Sequence, residues 1–121
     1  MKRLMSVLAT AIFLVAMLLG STAYAGDFVM TDWKWRQDTW SCTHNLPCSI
    51  EISGVVSNIS GRTIKTPEIY VIARDGEGRF LGTDSTYIRP IGSFKPGAIG
   101  TFTVWIDTGI VSSVQITYQI K

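Results

Sequence analysis

The chain holds a single histidine, His44, only two cysteines, Cys42 and Cys48, and 17% charged residues in a length of 121. Each shortage excludes something. Catalysis by a Ser–His or Cys–His pair needs a histidine that a second group orients toward the nucleophile. A lone histidine in a short segment between two cysteines does not offer that arrangement. Hydrolysis by paired carboxylates needs two acids on facing elements, whereas Glu51 and Glu68 read as exposed strand residues with no cleft. Linkers, low-complexity runs and long helical periods are missing as well. The expectation is a protein that is not an enzyme and for which no cofactor is implied.

Long apolar runs are scarce too, and the one present is short. Leu4 to Leu19 is apolar except for Ser6 and Thr10, follows Lys2 and Arg3, and precedes Ala23-Tyr24-Ala25. Such a segment falls short of the about 20 apolar residues a spanning helix needs. A basic start, an apolar middle and a small-x-small end together read as a secretory signal cleaved after residue 25. No cysteine follows that point for lipid attachment, so no membrane span is expected in the mature form. Removing residues 1–25 takes two of the 11 basic residues and none of the 9 acidic ones, which leaves a neutral remainder. A neutral chain lacks the basic footprint of a nucleic-acid binder.

What remains, residues 26–121, suffices for one small domain with a thin core. An even pair of cysteines in an exported chain reads as a disulfide, so Cys42–Cys48 is expected to close a small ring. For so short a loop the stabilisation is about 2 kcal/mol. The periplasm or the extracellular medium is the expected location.

The dominant period in this part of the chain is two. Val114, Ile116, Tyr118 and Ile120 alternate with polar residues, as do Ile50, Ile52, Gly54 and Val56 with Glu51, Ser53, Val55 and Ser57. That is the pattern of strands with one wet face. Thr101 to Ile106 and Ile69 to Ile72 are β-branched and aromatic, which also favours strands. Between them lie turn signals: Asn58-Ile59-Ser60-Gly61, Asp75-Gly76-Glu77-Gly78, Lys95-Pro96-Gly97-Ala98 and Asp107-Thr108-Gly109. The first is an Asx-type turn, the second a hairpin and the third a type II turn by its proline and glycine. About six or seven short strands with turns every 8–12 residues predict an all-β antiparallel sandwich.

These residues resemble a known family. Val55-Val56-Ser57-Asn58-Ile59-Ser60-Gly61-Arg62-Thr63-Ile64 is similar to the "V-x-N-x-S-x-x-x-I" strand-turn of the FxLYD domain. Asp75 to Gly82 resembles its "D-x-x-G-x-x-L-G" hairpin, and Lys95-Pro96-Gly97 with Thr101 to Val104 its "x-P-G-x…F-x-V" segment. Asp32-Trp33-Lys34-Trp35 is similar to the Trp-x-Trp first strand of such domains. At the naming motif this chain reads Val71-Ile72-Ala73-Arg74-Asp75. The resemblance implies an immunoglobulin-like sandwich in an exported bacterial protein, with a non-catalytic role and no active site to carry over. One departure is the stretch Gln37 to Pro47, an expanded connection where related domains have a tight turn.

That loop, 37–48, is therefore the candidate contact region. Trp40 lies in it outside any alternation and His44 sits between the cysteines, so both are candidate binding residues. Trp33 and Trp35 share one face of a strand and read either as core or as an aromatic platform. The leading expectation is a binding or assembly module for an unknown protein or glycan partner in the cell envelope. A periplasmic metal-binding protein using Cys42, His44 and Cys48 for Cu(I) or zinc is one alternative. A carbohydrate-binding module using Trp33, Trp35 and Trp40 is the other. The strand pattern leaves open whether an edge strand pairs with a second copy of the chain. It also leaves open which way Trp105 faces, and whether Tyr70 or Tyr87 joins it in an outer patch.

Overall fold

A computed structural model describes residues 26–44 and 48–121. The segment read as an export signal, 1–25, lies outside the described residues, as do Asn45, Leu46 and Pro47 of the loop. Eight strands and one short helix follow in order: β1 (Phe28–Asp38), α1 (Thr39–Thr43), β2 (Ser49–Asn58), β3 (Ile64–Lys65) and β4 (Glu68–Arg74). Then come β5 (Phe80–Tyr87), β6 (Ser93–Phe94), β7 (Ile99–Asp107) and β8 (Gln115–Ile120). Two antiparallel three-stranded sheets, ordered β1-β2-β7 and β5-β4-β8, form the two layers, and β3 pairs with β6. The result is the expected all-β sandwich, with six longer strands and a two-residue pair among the described residues.

The period-two pattern explains which face each strand buries. Ile50, Ile52 and Val56 of β2 are buried, as are Phe102, Val104 and Ile106 of β7 and Ile69, Val71 and Ala73 of β4. These inner faces meet Phe28, Ile88, Phe94 and Val114 in one core. Phe28 and Phe94 pack edge to face with centroids 6.2 Å apart, the geometry that the ring quadrupoles favour. Each fully buried aliphatic or aromatic side chain here contributes about 1.5–3 kcal/mol.

The turns form as their residues dictate. Asn58 Oδ1 accepts the Ser60 N–H at 3.0 Å and Gly61 takes φ +80°, the Asx turn with its left-handed glycine. Ala98 N–H donates to the Lys95 carbonyl at 2.9 Å with Gly97 at φ +81°, which completes the type II turn. Asp75 Oδ1 accepts the N–H groups of Glu77 and Arg79 and closes the β4–β5 hairpin.

The two sheets are joined along one seam. Just beyond β5, Arg89 and Thr101 exchange both backbone hydrogen bonds, at 2.8 and 2.9 Å. Further along, Asp84 accepts the Trp105 N–H at 3.1 Å. On the opposite side Met30 N–H donates to the Tyr118 hydroxyl at 3.1 Å, so a side chain spans from β8 to the edge of β1.

Candidate functional site

The end of the sandwich that carries the cysteines is built around one side chain that sequence reasoning passed over. Gln37 and Asp38, expected as loop, continue the β1 ladder opposite Ile50 and Ser49. The Gln37 amide nitrogen donates to the carbonyls of Ser49 at 2.9 Å and Gly109 at 3.2 Å. Its oxygen accepts the Val111 N–H at 3.0 Å. The Cys48 carbonyl accepts from Thr108 and Gly109 at 2.9 and 3.1 Å. A single amide thus ties the 107–111 loop to the strand that leads into the cysteine ring. A polar residue ending an alternating strand gives no hint of this in sequence, because its partners lie 12 and 72 residues away.

The ring itself begins with a turn of helix that the expected loop did not include. Asp38 caps it by accepting the Trp40 N–H at 3.2 Å, the role that aspartate plays at helix starts. Thr43 closes it by donating to the carbonyls of Thr39 and Trp40. Five residues are too few to show a helical period, so nothing in the pattern could reveal α1. Cys42 and Cys48 are bonded to each other, with Cα atoms 4.5 Å apart.

Trp40 is 59% exposed and stacks on His44, with ring centroids 4.1 Å apart and planes 16° from parallel. His44 Nδ1 lies 2.7 Å from the Trp40 carbonyl oxygen and 3.1 Å from Thr43 Oγ1. An Nδ1–H donating to that carbonyl holds the imidazole over the indole. Ile110, in the loop that Gln37 ties down, is 82% exposed. This end of the molecule therefore presents an aromatic stack and an aliphatic side chain on covalently and hydrogen-bond-restrained backbone.

The other candidates lie elsewhere. Trp33 and Trp35 are half-buried on the inner side of β1 and pack against the core. They do not join Trp40 on a common surface. Cys42, His44 and Cys48 do not converge as three ligands, since the sulfurs are consumed in the disulfide and the imidazole faces Trp40. Among the described residues no group of three or more His, Cys, Asp and Glu side chains is placed to hold a metal ion. Asn58, in an Asn-x-Ser sequence, is 1% exposed, and its amide nitrogen donates to the carbonyls of Arg62, Phe94 and Lys95. Glu51 pairs with Arg36 across the sheet, and Glu68 accepts the Tyr70 hydroxyl.

Trp105 faces outward, 46% exposed, and the Phe102 face is the core. The Arg36 guanidinium lies over its ring, 5.5 Å from the centroid. No helix among the described residues is long and apolar enough to cross a membrane.

The chain matches no model of a known protein family. No characterised protein matches it significantly in sequence either. What the fold and this site define is a class: a small antiparallel β-sandwich with one stapled, aromatic-bearing end.

Proposed function

We propose that this chain is an exported, non-catalytic binding or assembly module of the FxLYD-like kind. It contacts a protein or glycan partner in the cell envelope through its stapled end. The observation that carries the reading is Trp40: a large indole, 59% exposed, on a short helix that runs into the disulfide ring. Tryptophan is enriched among the residues that dominate interfaces. Restraint matters equally, because a pre-ordered contact loses less entropy on binding. The apolar start of the chain with its Ala-Tyr-Ala end and the disulfide both favour an oxidising compartment outside the cytoplasm.

The test is partner capture by crosslinking in envelope fractions, comparing wild type with Trp40→Ala and Ile110→Ser. Both variants should melt like wild type, since neither side chain is part of the core. The crosslinked species should be lost or strongly weakened in Trp40→Ala. Identical crosslinks in wild type and both variants would remove the stapled end as the contact surface.

A further inference from the structure

The end of the sandwich away from the cysteines carries an exposed aliphatic patch. Register places Val29, Ser57 and Ile99 in one row across β1, β2 and β7. Phe28, Val56 and Gly100 beside them are buried, so alternation turns this row outward. Ile59 N–H donates to the Asp27 carbonyl at 2.8 Å, which extends the ladder one pair further, and Asn58 before it is buried. On the other flank Arg89 bridges Thr101 in antiparallel sense. Two residues along each chain, in the same direction, stand Ile91 and Ile99. Val29, Ile59, Ile91 and Ile99 are between 38% and 64% exposed. One aliphatic side chain at a surface is ordinary, whereas four at one end form a patch of the kind that contacts something.

Charge is distributed unevenly around this patch. Arg62, Lys65, Arg89, Lys95 and Lys121 lie at this end, and all five are exposed. The acids here are Asp27, Asp32 and Glu68. Asp27 is bonded to Arg62 at 2.8 Å, and Glu68 accepts the Tyr70 hydroxyl at 3.0 Å. Asp32 stands in the row of Val55 and Thr101, with Arg89 at the far end of that row. The rest of the described chain holds four cations and six acids. Residues 26–121, neutral in sum, therefore fold into a body with one cationic end.

We infer that this end binds the surface of a bilayer that contains anionic phospholipid. The three isoleucines and Val29 enter the boundary between headgroups and acyl chains, and the surrounding cations meet lipid phosphates. Lys and Arg suit that arrangement, because their stems lie along apolar surface while their heads reach charge. A soluble polyanion would satisfy the cations and leave the isoleucines in water. The four apolar residues are all aliphatic, whereas the side chains that dominate protein interfaces are enriched in tryptophan and tyrosine. Aliphatic contacts ringed by cations match an anionic bilayer in both respects. β2 runs ten residues from the stapled end to this one, roughly 30 Å of strand. Trp40 is therefore held away from the lipid.

The test is sedimentation of the whole protein with phosphatidylcholine vesicles prepared with and without phosphatidylglycerol. The expected result is binding to the mixed vesicles that weakens as salt is raised, with little binding to phosphatidylcholine alone. Ile91→Ser combined with Ile99→Ser should lower the partition at least about tenfold. Arg89→Gln combined with Lys95→Gln should also lower it at least about tenfold. Phe80→Ser, which alters an exposed side chain at the opposite end, should bind as wild type does. All these side chains lie outside the core, and melting curves like that of wild type check that each variant is folded. No sedimentation with the mixed vesicles at millimolar lipid would overturn the proposal. So would equal binding to both kinds of vesicle, or full binding by the isoleucine variant. Binding to soluble polyglutamate that matches the vesicles at equal charge concentration would overturn it as well.

Discussion

At the scale of single residues, one buried polar side chain ties several turns together. Asn58 is buried, donates to three carbonyls and accepts from both the N–H and the hydroxyl of Ser60. Its backbone also bonds to Ala98 and Gly97 on the facing turn. Replacing it by alanine removes these side-chain hydrogen bonds, including the buried one to the Phe94 carbonyl, at a cost of about 2 kcal/mol. Thermal denaturation of Asn58→Ala should show that loss, and a melting temperature within a degree or so of wild type would contradict it. Asp75 makes a second residue-scale prediction. The Arg79 backbone N–H is the largest influence lowering its pKa below the ordinary value, with the Arg79 side chain and the Glu77 N–H adding to it against desolvation. A carboxyl depressed in the folded state stabilises the fold above its unfolded pKa, and that contribution fades as pH falls through the folded value. An NMR titration of the Asp75 carboxyl should therefore find a midpoint below that of aspartate in the unfolded chain. A midpoint at or above it would mean the hairpin does not hold the charge.

Among the elements, α1 and its ring depend on two independent ties. One is the Cys42–Cys48 bond and the other is the Gln37 amide. Cys42→Ser should lower stability by about 2 kcal/mol and leave the sandwich intact, measured as a shift of the urea midpoint at constant slope. A midpoint identical to wild type in oxidising buffer would remove the stabilising role of the ring. Gln37→Ala acts differently, because it frees the 107–111 loop without cutting the chain constraint. Faster amide exchange at Gly109 and Val111, with β2 still protected, is the expected signature. Unchanged exchange at those amides would show that the loop is held by other contacts.

For the whole molecule, the joining of the two sheets is the feature that packing must satisfy. At Gly100 of β7 an added Cβ would collide with the side chains of Ile88 and Phe94, both buried at the closed seam. Gly100→Ala should therefore destabilise the fold by about 2 kcal/mol, as overpacking of a filled core does. A variant of unchanged stability would mean that the seam has slack. The Trp40–His44 stack lies at one end, while Trp105 lies on a sheet face.

The sequence alone determined the fold class, the turns and the inner face of β2, because these follow from local rules. A period of two sorts Ile50 and Ile52 from Glu51 within a few residues, and a Pro-Gly or Asn-x-Ser-Gly turn needs only its own backbone. The cysteine pairing was legible for the same reason, since only one partner existed. Tertiary structure decided what depends on distant residues. The clamp of Gln37 on Gly109 and Val111, the stacking of His44 on Trp40, and the row of Arg36, Glu51 and Trp105 all required the chain to fold back on itself. Alternation assigned Trp105 to a face without saying which face the second sheet would cover. Only the approach of the β5-β4-β8 layer to Phe102, Val104 and Ile106 settled that, by burying one side of β7 and leaving the indole to solvent.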